Sequence, residues 1–185
     1  MPKYIFITGT NTDVGKTFIG TKLIKGLNKT YHCLAFKPIE TGCAKKKGVL
    51  IPKDSTKYYN MLNKVIGLDE LNPYRFIPPV SPYLAIKKAK KKIFIKDYYE
   101  KLKVISKNAP VLVEGAGGAF SPLALDGLNI DLMRMIRSFN ILIIKDELGC
   151  ISGALSNILA FERYKVRLDL LILNTQNKNL SLIHI

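Results

Sequence analysis

The segment that most constrains this chain is Ile7-Thr8-Gly9-Thr10-Asn11-Thr12-Asp13-Val14-Gly15-Lys16-Thr17. It follows the apolar run Tyr4-Ile5-Phe6-Ile7 and leads into Gly15–Leu27, a stretch of helical length and spacing. It therefore reads as a loop joining a buried strand to a helix N-terminus. That setting suits a phosphate. Glycine lets backbone N–H groups curl around the oxygens and the helix end adds a favourable dipole, while Lys16 offers a mobile positive charge and Thr17 a hydroxyl for Mg²⁺. The spacing departs from G-x-x-x-x-G-K-[ST], because Thr10 stands where the first glycine belongs and Gly9 lies one residue early.

The rest of the chain supports an α/β reading. Cys33–Phe36, Val111–Val113, Ile141–Ile144 and Leu168–Leu173 are short aliphatic runs, apolar on both faces, as strands of a parallel sheet are. Ile130–Phe139 and Ser152–Tyr164 have helical length, so βα units with right-handed crossovers are expected, in three layers. Residues 43–107 break this rhythm, being rich in Lys and Tyr and punctuated by Asn72-Pro73, Pro78-Pro79 and Ser81-Pro82. They read as helices and turns at the sheet edge, with helices near Ser55–Val65 and Lys96–Lys107. A length of 185 residues favours one domain, residues 1–185, with that stretch as an excursion.

Two further clusters fall at strand ends, where ligands bind in open α/β sheets. Lys37-Pro38-Ile39-Glu40-Thr41-Gly42 follows the second strand, and Glu114-Gly115-Ala116-Gly117-Gly118 follows the third. A carboxylate at Glu114 can reach Mg²⁺ and the glycines admit a substrate to the backbone, although Lys37–Gly42 alone reads as an ordinary strand-to-turn transition and Glu114–Gly118 alone is equally a flexible turn. Asp54 either joins this site or caps the helix that follows it.

Together these residues resemble the dethiobiotin synthetase family. The resemblance runs in order through Gly9–Thr17, Lys37–Gly42, Asp54, Asn72-Pro-Tyr-Arg-Phe76 with Ser81-Pro82, Val113–Gly118, Leu148-Gly-Cys-Ile151 and Asn174. It implies a three-layer P-loop NTPase-like fold with a mostly parallel central sheet, and an ATP- and Mg²⁺-dependent ligase of biotin biosynthesis. In the family reaction, 7,8-diaminononanoate takes up carbon dioxide as a carbamate, which attacks the γ-phosphate of ATP. The second amine then closes the ureido ring. The resemblance assigns Lys16 and Lys37 to bridging phosphate and carbamate, and Thr17, Asp54 and Glu114 to Mg²⁺. Nucleotide binding would fall to Asn11, Thr12, Asp13, Val14, Gly15, Lys16, Thr17, Glu114, Gly117 and Asn174, the last reading adenine. Thr10, Lys37 and Thr41 would contact the carbamate or amines, and Asp13 would lie near the diamine or the partner subunit. The substrate carboxylate would sit at Gly149-Cys150-Ile151-Ser152 of a second subunit, implying a homodimer. Ser152 stands where the family has Asn, and the chain stops at Leu182-Ile183-His184-Ile185, short of the family's usual length.

The composition raises one competing reading. The formal net charge is +15, from 29 Lys and Arg against 14 Asp and Glu, which alone suggests a polyanion partner such as nucleic acid. Residues 43–107 carry a net +11 of it, away from the motifs, and no interleaved aromatic and basic recognition motif accompanies it. A solvated, lysine-rich surface, including Lys87–Lys92, is the expectation, with no nucleic-acid partner. A partition- or carrier-type ATPase of the same superfamily usually carries lysine at the start of the loop, where Thr8 stands here. A cobyrinate-type amidoligase would need a glutaminase domain that does not fit this length. The first apolar run is too short for a signal-peptide core and no stretch matches a membrane span, so a cytoplasmic enzyme is expected.

Overall fold

In a computed structural model of the protein, residues 1–175 are described. The terminal Leu182-Ile183-His184-Ile185 lies outside the described residues. The central sheet has five strands: β1 (Tyr4–Gly9), β2 (Leu34–Phe36), β7 (Val111–Gly118), β8 (Phe139–Lys145) and β9 (Leu170–Asn174). All pairs are parallel, in the order β2-β7-β1-β8-β9.

Alternation along the strands sorts the two faces. Ile5, Ile7, Leu112, Ile141 and Ile143 pack with Ile24 of α1 (Lys16–Leu27) and Tyr58 of α2 (Lys53–Met61). Tyr4, Phe6, Val111 and Val113 point the other way, onto Tyr98 and Leu102 of α5 (Ile95–Ile105) and Ile130 and Met133 of α6 (Asn129–Ile136). Leu142 and Ile144 meet Cys150 of α7 (Cys150–Arg163). Because both faces of the inner strands are covered, their buried positions are mostly apolar, with Thr8, Glu114 and Asn140 as buried polar exceptions, and three layers result. From β2 and β7 on one side of β1 the chain crosses to β8 on the other, so the sheet's switch point lies at the C-terminal end of β1. The phosphate loop leaves from that point.

Several boundaries differ from the sequence expectation, among them the helix near Ser55–Val65, which is α2 and ends at Met61, with Asn63 and Lys64 turning left-handed just beyond it. Glu114–Gly118 does not follow the third strand but belongs to it, since the parallel pairing with β1 continues as far as Gly9↔Gly118. The helix expected over Ile130–Phe139 stops at Ile136, where Arg137 turns left-handed (φ 49°) and frees Phe139 to begin β8. Arginine at that position is a weak stop signal, which is why the sequence overruns it. Residues 43–107 hold more structure than helices and turns. A hairpin joins β4 (Ala44–Lys46) to β5 (Val49–Ile51) through Lys47 and Gly48, both at positive φ (49° and 82°). Then come α2, α3 (Leu68–Leu71), β6 (Tyr74–Arg75), α4 (Pro82–Lys88) and α5, with β6 pairing in parallel to β3 (Ile39–Glu40). Lys87–Lys92 is exposed throughout. No helix among the described residues is long and apolar enough to cross a membrane.

Candidate active site

The phosphate loop is shaped by contacts distant in sequence. Asp13 (φ 55°) and Gly15 (φ 99°) both take left-handed backbone, and Gly15 caps the N-terminus of α1. A Cβ on Gly15 would overlap the Asn174 side chain, so glycine is required twice over. Asn174, at the end of β9, donates its amide N–H to the Val14 carbonyl at 2.9 Å and so braces the loop from below.

Lys16 is buried at the start of α1, and its Nζ donates to the Asn11 carbonyl at 2.7 Å. Burial, and then the ammonium of Lys37, lower its pKa to about 8, against the opposing pull of Glu114, Asp54 and Asp13. The sign of the linkage follows. Between about pH 8 and 10.5 the unfolded chain still holds a proton that the folded chain has released. Stability of the nucleotide-free protein should therefore rise with pH across that window, and Lys16→Met should flatten the rise. Denaturant unfolding of both proteins from pH 7.5 to 10.5 measures it, and equal slopes would refute the assignment.

Opposite Lys16, a buried cluster surrounds Lys37. Its Nζ pairs with Glu114 Oε1 and lies 3.5 Å from Asp54 Oδ2. Burial alone pulls this ammonium's pKa down, but Glu114 and Asp54 outweigh it and push it above the ordinary lysine value. Glu114 is itself only 1% exposed and fully engaged. Thr17 Oγ1 donates to its Oε1 at 3.0 Å, and the Tyr58 hydroxyl donates to its Oε2 at 2.6 Å. Burial, with the Glu114 charge beside it, raises the Tyr58 pKa well above the ordinary phenol value, so the hydroxyl stays a donor. Asp54 titrates below the usual carboxylate range; burial opposes this, but Lys37 and Lys57 prevail.

Asp54 does not cap α2. That role belongs to Glu40, whose buried carboxylate accepts the N–H groups of Asp54 (2.8 Å) and Ser55 (2.9 Å) and the Ser55 hydroxyl (2.6 Å). Glu40 thus frees the Asp54 side chain to face Lys37. Glu40→Gln should turn an amide donor toward these donors and lower stability by about 1–3 kcal/mol. An unchanged denaturant midpoint would contradict that role.

These groups line a cleft of about 360 Å³ that includes Thr12, Asp13, Gly15, Lys16, Thr17, Lys37, Thr41, Asp54, Glu114 and Gly117. Val14 and Asn174 are buried behind the loop and Asn11 is exposed on it; none of the three is among the described residues that line the cleft. Thr10 and Gly149-Cys150-Ile151-Ser152 also lie outside it. Gly149 (φ 90°) caps α7, and a Cβ on Gly153 would stand 3.8 Å from Thr10 Cγ2, so this helix begins beside the loop of its own chain. Among the cleft or buried groups that the sequence reading does not assign are Glu40, named without a role, Lys57 and Tyr58. Helical spacing was the available signal for the last two, since Lys57 and Tyr58 stand three and four residues beyond Asp54. The donor set of Thr17, Asp54 and Glu114 is all oxygen, with two carboxylates, and fits a hard divalent ion such as Mg²⁺.

A family model described as an AAA domain matches residues 3–182. The chain is 37% identical to the ATP-dependent dethiobiotin synthetase BioD of Vesicomyosocius okutanii, over 96% of this chain and 81% of that protein. It is 34% identical to the protein of the same name in Ruthia magnifica, over 96% and 82%. Among solved structures, a plasmid partition protein of Borrelia burgdorferi bound to AMPPNP superposes with a TM-score of 0.59 at 16% identity, covering 98% of this chain and 77% of that one. A ParA family ATPase of Chlorobium tepidum gives 0.58 at 11%, covering 98% and 78%. At those identities the structural likeness establishes the fold.

Proposed function

The chain belongs to the ATP-dependent dethiobiotin synthetase family, and from that premise we propose that it converts 7,8-diaminononanoate, carbon dioxide and ATP to dethiobiotin, ADP and phosphate. One substrate amine takes up carbon dioxide as a carbamate, and a carbamate oxygen attacks the γ-phosphorus as ADP leaves. The second amine then attacks the carbamate carbon, closing the ring and releasing phosphate.

The observation that carries this reading is the pair of buried ammonium groups, Lys16 in the phosphate loop and Lys37 beside Glu114, on the walls of one cleft. A carbamate meeting a triphosphate brings anion to anion, so the chemistry needs neutralising charge and alignment more than a strong base. Lys16 binds the γ-phosphate, with the helix dipole and the loop N–H groups behind it. Lys37, which lines the same cleft, neutralises the carbamate oxygen, and Thr41 and Thr10 supply hydroxyls to the substrate. Thr17, Asp54 and Glu114 would hold Mg²⁺, which when bound neutralises phosphate charge. Asn174 reads the base while bracing the loop.

The enzyme acts as a single-domain, cytoplasmic homodimer with its substrate site at the subunit interface. In support, Leu148, Ile151, Leu155 and Leu159 form an apolar stripe on and just before α7, with exposures of 93%, 60%, 55% and 64%. That is an unusual row to leave in water. The stripe adjoins Gly149–Ser152, the proposed carboxylate site. The test supplies 7,8-diaminononanoate, bicarbonate, Mg²⁺ and each nucleoside triphosphate, and follows dethiobiotin by mass spectrometry alongside sedimentation of the protein. A folded dimer that forms no product with any nucleotide would overturn the assignment.

A further inference from the structure

We propose that Tyr58 is a positioning residue for Glu114, fixing which carboxylate oxygen faces the cleft. This rests on the reading above, in which Glu114 is a metal ligand. A glutamate at the end of a rotatable side chain can present either oxygen, or both. Here Oε2 is taken by the Tyr58 hydroxyl at 2.6 Å, while Oε1 faces Thr17 and Lys37. The phenol is 1% exposed and comes from α2, so its ring is fixed by the packing that holds the helix on the sheet. It is also fixed from the opposite side. The hydroxyl lies over Gly20 of α1, where any Cβ would overlap it. Carboxylate, phenol and glycine therefore form one contact chain between two helices and β7.

The same helix carries Asp54 one turn earlier, with its N-terminus held by Glu40. A single rigid element thus sets the place of one proposed ligand directly and the rotation of the other through a hydrogen bond. Partners of this kind orient a metal-binding carboxylate, and their loss typically weakens binding by about 10–100-fold.

The test uses Tyr58→Phe, which keeps the ring and removes only the hydroxyl, and Gly20→Ala, which keeps the hydroxyl but displaces it. Mn²⁺ is titrated into each full-length protein with a non-hydrolysable ATP analogue, and bound ion is read from loss of the free-ion EPR signal. Both variants should bind Mn²⁺ about tenfold more weakly, with the Mg²⁺ concentration for half-maximal turnover raised equally and kcat at saturating Mg²⁺ within about threefold of wild type. If Tyr58→Phe is merely less stable and binds Mn²⁺ as wild type does, the positioning role is wrong. If Gly20→Ala fails to fold, Tyr58→Phe alone decides. Wild-type protein that binds no Mn²⁺ and makes no product would instead overturn the reading of the site itself.

Discussion

Replacing Lys37 by alanine should cost the protein both activity and stability. Turnover is expected to fall by about two to three orders of magnitude, the usual consequence of removing one preorganised charge-stabilising donor. The stability loss has a separate cause. Lys37 is 4% exposed and its ammonium is the only cation paired with the buried carboxylate of Glu114 among the described residues. Without it, Glu114 keeps only the hydroxyl donors Thr17 and Tyr58. Breaking a buried ion pair by deleting one partner costs about 3–5 kcal/mol, because a charge is left uncompensated. Denaturant unfolding in EDTA should therefore show a large shift of midpoint with an unchanged m-value. Added Mg²⁺ should recover part of it by binding the freed carboxylates. Near-normal turnover would remove Lys37 from the mechanism, and an unchanged midpoint would mean that the Glu114 pair is not the buried contact described here.

Lys16→Ala should behave in the opposite way with respect to stability. Turnover should again drop by at least two orders of magnitude, since in the proposed mechanism the loop loses its charge for the γ-phosphate. The fold should not suffer, because Lys16 is held in the nucleotide-free protein against its own preference. Burial and the neighbouring Lys37 both disfavour its charge, and the Asn11 carbonyl is its hydrogen-bond acceptor. Removing it at pH 7 should leave the denaturant midpoint unchanged or slightly higher, while the affinity for ATP falls. A variant as unstable as Lys37→Ala would show that Lys16 is part of the structural framework. The two lysines look alike as sequence, and their contrast comes from what surrounds each: two carboxylates in contact around one, a carbonyl and a second cation around the other.

Much of the candidate site was legible because it is local. Gly9 to Thr17 carries strand, loop, helix start, lysine and hydroxyl in one continuous run, and backbone preference and side-chain chemistry coincide there. The parallel sheet was legible for a similar reason, since strands covered on both faces are mostly apolar at successive positions. Boundaries were less so. Glu114–Gly118 looks like a turn by composition, yet pairing with β1 keeps it extended. The hairpin at Lys47-Gly48 lies in a segment whose charge pattern suggests only solvated surface.

By itself the sequence determined the layer order, the place of the phosphate loop and the residue types that could meet a triphosphate, because each depends on neighbours within a turn or two. Only the tertiary structure decided how those residues are held. Tyr58 reaches Glu114 across 56 positions, and Asn174 braces Val14 across 160. Glu40 caps a helix it does not belong to. Such partnerships follow from which strands lie side by side and which helix covers them. No local preference encodes that choice; burying both faces of one sheet does.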